Sequence, residues 1–297
     1  MESGISDLVK TLIKQVGKHI KMGEWQEAVD ASADAVSKAR TMNMGGEYDA
    51  LGLALTLETQ GDLHRQTGDL EQSRSSYSEA LEILCVIPQA NETLARVNAS
   101  TGVLYDLSGN SEEARLFYER ALELYAQDPS PRHDEMVDIC NNLGFIYRSV
   151  GDGDSAEALF LKGLELSQQV NGSKHAKTAV LYNNLGALYL NADNYEEAEK
   201  MLMMALEIRG EALGRKHTDT AQSYSNLALA LGPNGDVATI KDFFHKSLDI
   251  YEENIKMKFG DYEAVVENYA DYLRNIGEEK EAVSLEKKAK KNLAKIA

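Results

Sequence analysis

Residues 196–229 read EEAEKMLMMALEIRGEALGRKHTDTAQSYSNLAL. Ala198 and Ala205 stand seven residues apart on one apolar stripe, as on a helix packed along one side. The motif they belong to recurs along the whole chain. A mostly small residue occurs at Ala28, Ser73, Ala114, Ala156, Ala198, Ile240 and Ala282, at intervals of 45, 41, 42, 42, 42 and 42. Twelve residues before each stands Val16, Gly61, Gly102, Gly144, Gly186, Ala228 or Ala270. Seven residues after each stands Ala35, Ala80, Ala121, Gly163, Ala205, Ser247 or Ala289. Five residues before each stands Gly23, Gly68, Gly109, Gly151, Asp193, Gly235 or Gly277.

These columns describe a helix–turn–helix unit. The small residue of the first helix, A, lies where the second helix, B, crosses closely, and the glycine column marks the turn between them. Larger residues fill the remaining core positions: Tyr105, Tyr147 and Tyr189 on A helices, and Tyr77, Tyr118, Phe160, Leu202 and Phe244 on B helices. Leu231-Gly232-Pro233-Asn234-Gly235 should shorten the sixth A helix by about a turn. Val16 with Lys14 suits an N-terminal capping unit, and Glu286 gives the last helix a polar outer side.

The Leu143-Gly144-x-x-Tyr147, Leu185-Gly186-x-x-Tyr189 and Tyr195–Ala198 columns resemble the tetratricopeptide repeat. Its usual period is about 34 residues, whereas this one is mostly 42. With its ALEIR, LGxxH and NLA elements, and with His133, His175 and His217 spaced 42 apart, the chain is similar to kinesin light chain repeats, including the bacterial proteins of that type. It lacks the heptads of a kinesin-binding coiled coil. The resemblance implies an all-α, right-handed superhelical solenoid of about seven helix–turn–helix repeats. We place them at 5–45, 50–90, 94–130, 135–172, 177–214, 219–257 and 261–297, as one solenoid over 1–297.

Charge narrows the function. The formal net charge is −17, which argues against a general nucleic-acid binder. Cys85 and Cys140 show no metal or redox spacing, and no long apolar run suggests a signal peptide or membrane span. A cytoplasmic protein is expected, associated with the cytoskeleton or a membrane surface if at all. There is no phosphate loop and no H-E-x-x-H motif, so no enzyme, cofactor or metal is expected. The spaced histidines read as loop or helix N-terminal packing rather than as ligands.

A binding surface is better supported. Asn142, Asn184, Asn226 and Asn268 form one column on the A helices, and Asn141 and Asn183 adjoin two of them. An amide both donates and accepts, so such a column can read the backbone of an extended peptide lying in the concave groove. It can equally bond to neighbouring A helices. Arg148 and Arg274, with Arg65, lie further along their helices and could meet acidic side chains. The lysines that clamp a terminal carboxylate in chaperone-binding relatives are absent, since Asn141, Phe145, Asn183 and Ala187 occupy those columns.

Two basic elements flank the acidic body: Lys10, Lys14, Lys18 and Lys21, and Lys287, Lys288, Lys290, Lys291 and Lys295 interleaved with Leu293 and Ile296. They suit anionic lipid or acidic protein tails, or serve only as soluble caps. The expected function is therefore a non-catalytic scaffold or adaptor that holds a partner protein or peptide in its groove. A cytoskeletal filament is the favoured partner, with bacterial tubulin a candidate that the family resemblance alone suggests. A peripheral membrane tether and a signalling peptide receptor are the alternatives.

Overall fold

The structure is a computed structural model that describes residues 6–42, 47–87, 90–127, 132–232 and 235–295. Pro233, Asn234 and Ile296, invoked above, lie outside the described residues. Among the described residues there are fourteen helices and no strands, paired as the columns require. The pairs are α1 (Asp7–Met22) with α2 (Trp25–Met42), α3 (Glu47–Thr67) with α4 (Leu70–Leu84), and α5 (Asn91–Leu107) with α6 (Ser111–Ala126). There follow α7 (His133–Ser149) with α8 (Gly153–Val170), α9 (Ala176–Asn191) with α10 (Tyr195–Ala212), α11 (Thr218–Leu231) with α12 (Val237–Glu253), and α13 (Phe259–Asn275) with α14 (Glu279–Leu293). Odd-numbered helices are the A helices. At 14 residues, α11 is shorter than the 16-residue α9 and the 17-residue α13. The chain divides into two compact units, residues 1–139 and 140–297.

The small-residue column works by contact. A Cβ at Gly61 would stand 2.5 Å from the Tyr77 ring, at Gly102 2.7 Å from the Tyr118 ring, and at Gly186 2.5 Å from Leu202 Cγ. At Gly144 it would meet the Phe160 ring just as closely. Tyr77, Phe160 and Leu202 are fully buried, so the B-helix side chain fills the space the glycine leaves open.

The turn column closes each A helix. Gly23, Gly68, Gly109, Gly151 and Gly277 have φ between +74° and +85°, and Asp193 takes the same role at +55°. Each follows the pattern of Gly151, whose N–H donates to the Arg148 carbonyl while the N–H of Asp152 donates to that of Tyr147. Gly235 stands at the same column position ahead of α12, and its N–H donates to the Leu231 carbonyl. The B helix then begins on a side-chain cap: Asp69 for α4, Asp152 for α8, Asn194 for α10 and Asp236 for α12.

Two loops that lead from a B helix into the next A helix share one construction. Gly172 and Gly214 have φ of +93° and +94°. The Thr178 hydroxyl donates to the Gly172 carbonyl at 2.8 Å, and that of Thr220 to the Gly214 carbonyl at 2.9 Å. Lys174 pairs with Glu211 at 2.9 Å and Lys216 with Glu253 at 3.2 Å. His175 and His217 are helix caps, each accepting at Nδ1, at 3.1 Å, from the backbone N–H two residues on.

Candidate functional site

The asparagine column falls in the unit of residues 140–297, where α9 and α11 are neighbours and α9 also reaches the last turns of α7. Asn184 Nδ2 donates to Asn141 Oδ1 at 2.7 Å. Asn226 Nδ2 donates to Asn183 Oδ1 at 3.2 Å. Asn183 Nδ2 in turn donates to Gln222 Oε1 at 3.4 Å. Asn183 is 3% exposed and Asn184 5%. The second of the two sequence readings therefore describes this pair: their amides join successive A helices. Asn141, Asn142, Asn226 and Asn268 are half-buried, and Asn141 Nδ2 also donates to Asn142 Oδ1 at 3.4 Å.

Beneath this seam lies a charge that the motif reading passed over. Arg209, near the end of α10, is 3% exposed. Its Nη1 donates to the Asp219 carbonyl at 2.7 Å, to Ser223 Oγ at 2.9 Å and to Gln222 Oε1 at 3.2 Å, while its Nε is buried without a partner. Burial pulls the guanidinium below its ordinary pKa, against the pull of Asp219. Gln222 thus links the buried cation to Asn183 and, through it, to Asn226. The signal was periodicity: Arg209 falls on the stripe of Ala198, Leu202 and Ala205, where an apolar residue is expected.

The three arginines have different settings. The Arg148 guanidinium lies 4.9 Å from the centre of the Phe145 ring and stacks there, with no carboxylate paired to it among the described residues. Phe145 is 38% exposed and meets Phe160 edge-on at 5.7 Å. Burial lowers the pKa of Arg148. Arg274 is tied to Glu286 at 2.6 Å, Asp271 at 3.3 Å and Glu279 at 3.6 Å. Arg65, in the other unit, sits with Asp62 and the Tyr77 hydroxyl. Of the three, Arg148 is the one that presents its charge together with an open aromatic ring.

The lysines divide in the same way. Lys10, Lys14, Lys18 and Lys21 are all exposed along α1. Lys287, Lys290 and Lys291 are exposed on α14, whereas Lys288 pairs with Glu252 at 2.8 Å. Leu293 packs into the core of its unit, so it does not extend the basic cluster as an apolar foot. No helix among the described residues is long and apolar enough to cross a membrane, and none of their His, Cys, Asp and Glu side chains group as a metal site. Burial pushes the Cys140 thiol up to about 11.

A second polar site joins A helices in the unit of residues 1–139. Arg96 on α5 donates Nε and Nη2 to Glu58 on α3 at 2.5 and 2.7 Å. Burial raises the Glu58 pKa, with Arg96 opposing it. Nothing in the repeat columns singled out Glu58, which interrupts the buried run from Leu53 to Leu63.

The tetratricopeptide repeat profile matches residues 52–127, 136–211 and 181–253. The chain belongs to the tetratricopeptide repeat family. Arrays of this family are protein–protein interaction scaffolds and as a rule non-catalytic. Among solved structures, the chain is similar to BtubC (BKLC) from P. vanneervenii, with 26% identity and a TM-score of 0.65 over 76% of this chain and 90% of that one. It is also similar to a kinesin light chain-type protein of Podosopora anserina with nearly identical repeats, at 19% identity and TM-score 0.58 over 70% of this chain and 97% of that one. The apo form of RapI gives 18% identity and TM-score 0.69 over 97% and 99% of the two chains. None of the curated proteins matches the chain in sequence.

Proposed function

We propose that the protein is an adaptor that binds an extended segment of a partner protein along the A helices of residues 140–297. The observation that carries this reading is the pairing of Arg148 with Phe145: a guanidinium with no carboxylate partner among the described residues, stacked on a ring that is 38% exposed. Asn142, Asn226 and Asn268 supply amides on the same set of helices. Asn183 and Asn184 act one layer below, holding those helices in register. Arg274 contributes only if a ligand displaces its carboxylates.

Within that reading we favour a cytoskeletal partner of the bacterial tubulin type. The support is the kinesin light chain-like repeat and the likeness to BtubC, and the partner's acidic segments would meet Arg148. The test is cosedimentation of the full chain with bacterial tubulin filaments, alongside anisotropy titration with an acidic peptide from the tubulin C-terminus. Binding that weakens about five- to tenfold in Arg148→Ala supports the reading. No cosedimentation at micromolar concentration, or binding indifferent to Arg148→Ala and Phe145→Ala, rejects it.

A membrane contact is the second reading, favoured by the four exposed lysines along α1. Each would add about 1 kcal/mol at an anionic surface. Flotation with phosphatidylserine vesicles should then exceed that with neutral vesicles, and charge removal at Lys10, Lys14, Lys18 and Lys21 should abolish the difference.

A further inference from the structure

A cleft of about 570 Å³ opens between α4, α5 and α6 in the unit of residues 1–139. Its floor contains Tyr105 of α5 and Phe117 of α6, half-buried and stacked with ring centres 5.3 Å apart at 10°. Glu71, Arg74, Glu79 and Glu82 of α4 stand around them. Arg74 is already paired with Glu71 at 2.7 Å. Glu79 is likewise paired with Arg40 at 2.6 Å, so Glu82 is the lining carboxylate left beside an aromatic surface with negative potential on its faces, a setting that attracts a cation.

The protein contains its own example of that chemistry. In the sixth repeat Phe243 holds the position of Phe117, three residues beyond the column at Ile240 and Ala114. Phe243 packs against Tyr224 with ring centres 5.7 Å apart. There the ammonium of Lys246 lies 5.5 Å from the Phe243 ring centre and 5.7 Å from that of Tyr224. The third repeat has Arg120 at the place of Lys246, but Arg120 turns to Glu123 at 2.6 Å. Phe117 therefore lines an open cleft with Tyr105, whereas Phe243 pairs with a tyrosine from a different column and carries an intramolecular cation, Lys246, that Asp242 also holds at 2.5 Å.

We propose that this cleft is a docking site for a lysine- or arginine-bearing segment of a partner protein, whose cationic head lies against Tyr105 and Phe117 beside Glu82. It is lined by α4 and α6, both B helices, with Tyr105 of α5, and shares no residue with the Arg148 surface.

The test uses the full chain and a labelled octapeptide of alternating lysine and glycine, followed by fluorescence anisotropy, with the glutamate–glycine octapeptide as comparison. Because the chain carries −17 overall, local recognition must be separated from general attraction. Phe117→Leu keeps the apolar volume but removes the ring, and Glu82→Gln removes one exposed charge. Glu263→Gln, exposed on α13, removes the same charge elsewhere. The site predicts about three- to tenfold weaker binding for Phe117→Leu and for Glu82→Gln, with Glu263→Gln unchanged. If Phe117→Leu unfolds, as circular dichroism would report, Glu82→Gln against Glu263→Gln decides alone. The proposal is overturned if the lysine peptide does not bind at millimolar concentration, if the variants bind like the parent, or if all charge removals weaken binding equally.

Discussion

Replacing Asn184 by alanine asks whether its amide holds helices together or waits for a ligand. The side chain is 5% exposed and donates to Asn141 Oδ1 at 2.7 Å. Its loss removes a short buried hydrogen bond and leaves a half-buried acceptor without that donor, which costs about 1–2 kcal/mol. Asn226→Ala removes a longer bond, 3.2 Å, from a half-buried residue, and should cost about 0.5–1 kcal/mol. The two amides bond to different partners, so the double variant should lose the sum, about 1.5–3 kcal/mol. A repeat array need not unfold in one step. The assay is therefore urea unfolding by circular dichroism together with native-state hydrogen exchange of the α9 and α11 amides. Protection should fall in those two helices first. A loss under about 0.5 kcal/mol for Asn184→Ala, with unchanged exchange in α9, would refute the structural role and return this amide to the ligand-facing class.

Three further outcomes follow from local geometry. Gly186→Ala should destabilise the parent, because its Cβ would lie 2.5 Å from Leu202 Cγ, but be neutral or stabilising in a Leu202→Ala background. Urea unfolding of the cycle should give a coupling of about 1–3 kcal/mol. Asp193→Gly should raise stability by about 0.5–1 kcal/mol in thermal melts, since Asp193 holds φ at +55° and its exposed bond to the Tyr195 hydroxyl is worth little. Arg96→Ala should cost near the low end of about 3–5 kcal/mol at neutral pH, as Glu58 is left buried while Arg96 itself is 38% exposed. Burial already holds the Glu58 pKa above its ordinary value, so folding favours its protonated form. The deficit should shrink as pH falls from about 7 towards 5, read from unfolding curves across that range.

The parts of the fold that repeat were legible in the sequence, because repetition turns each weak local preference into a column. Gly144 and Gly186 announced close helix crossings, and Gly23, Gly68, Gly109, Gly151 and Gly277 announced turns with positive φ. Asp193 joined that column by position although its side chain disfavours the conformation, and the structure keeps it there. The candidate site was less legible. A column of asparagines fixes which helix side they share, but the choice between a ligand's backbone and the next helix depends on interhelix spacing, which sequence does not supply. Arg209 and Glu58 were hidden for a related reason: each is a charged residue on a buried stripe, and what neutralises or solvates it comes from another repeat.

The matching loops that begin at Gly172 and Gly214 have a consequence for how such a gene changes. Both seams present the same glycine, the same threonine latch and the same lysine tether. A duplication or excision of coding sequence between them would splice like ends together, leaving a chain that enters and leaves the joint along an unchanged path. Reach could then be altered by whole modules through unequal recombination, without passing through an unfoldable ancestor.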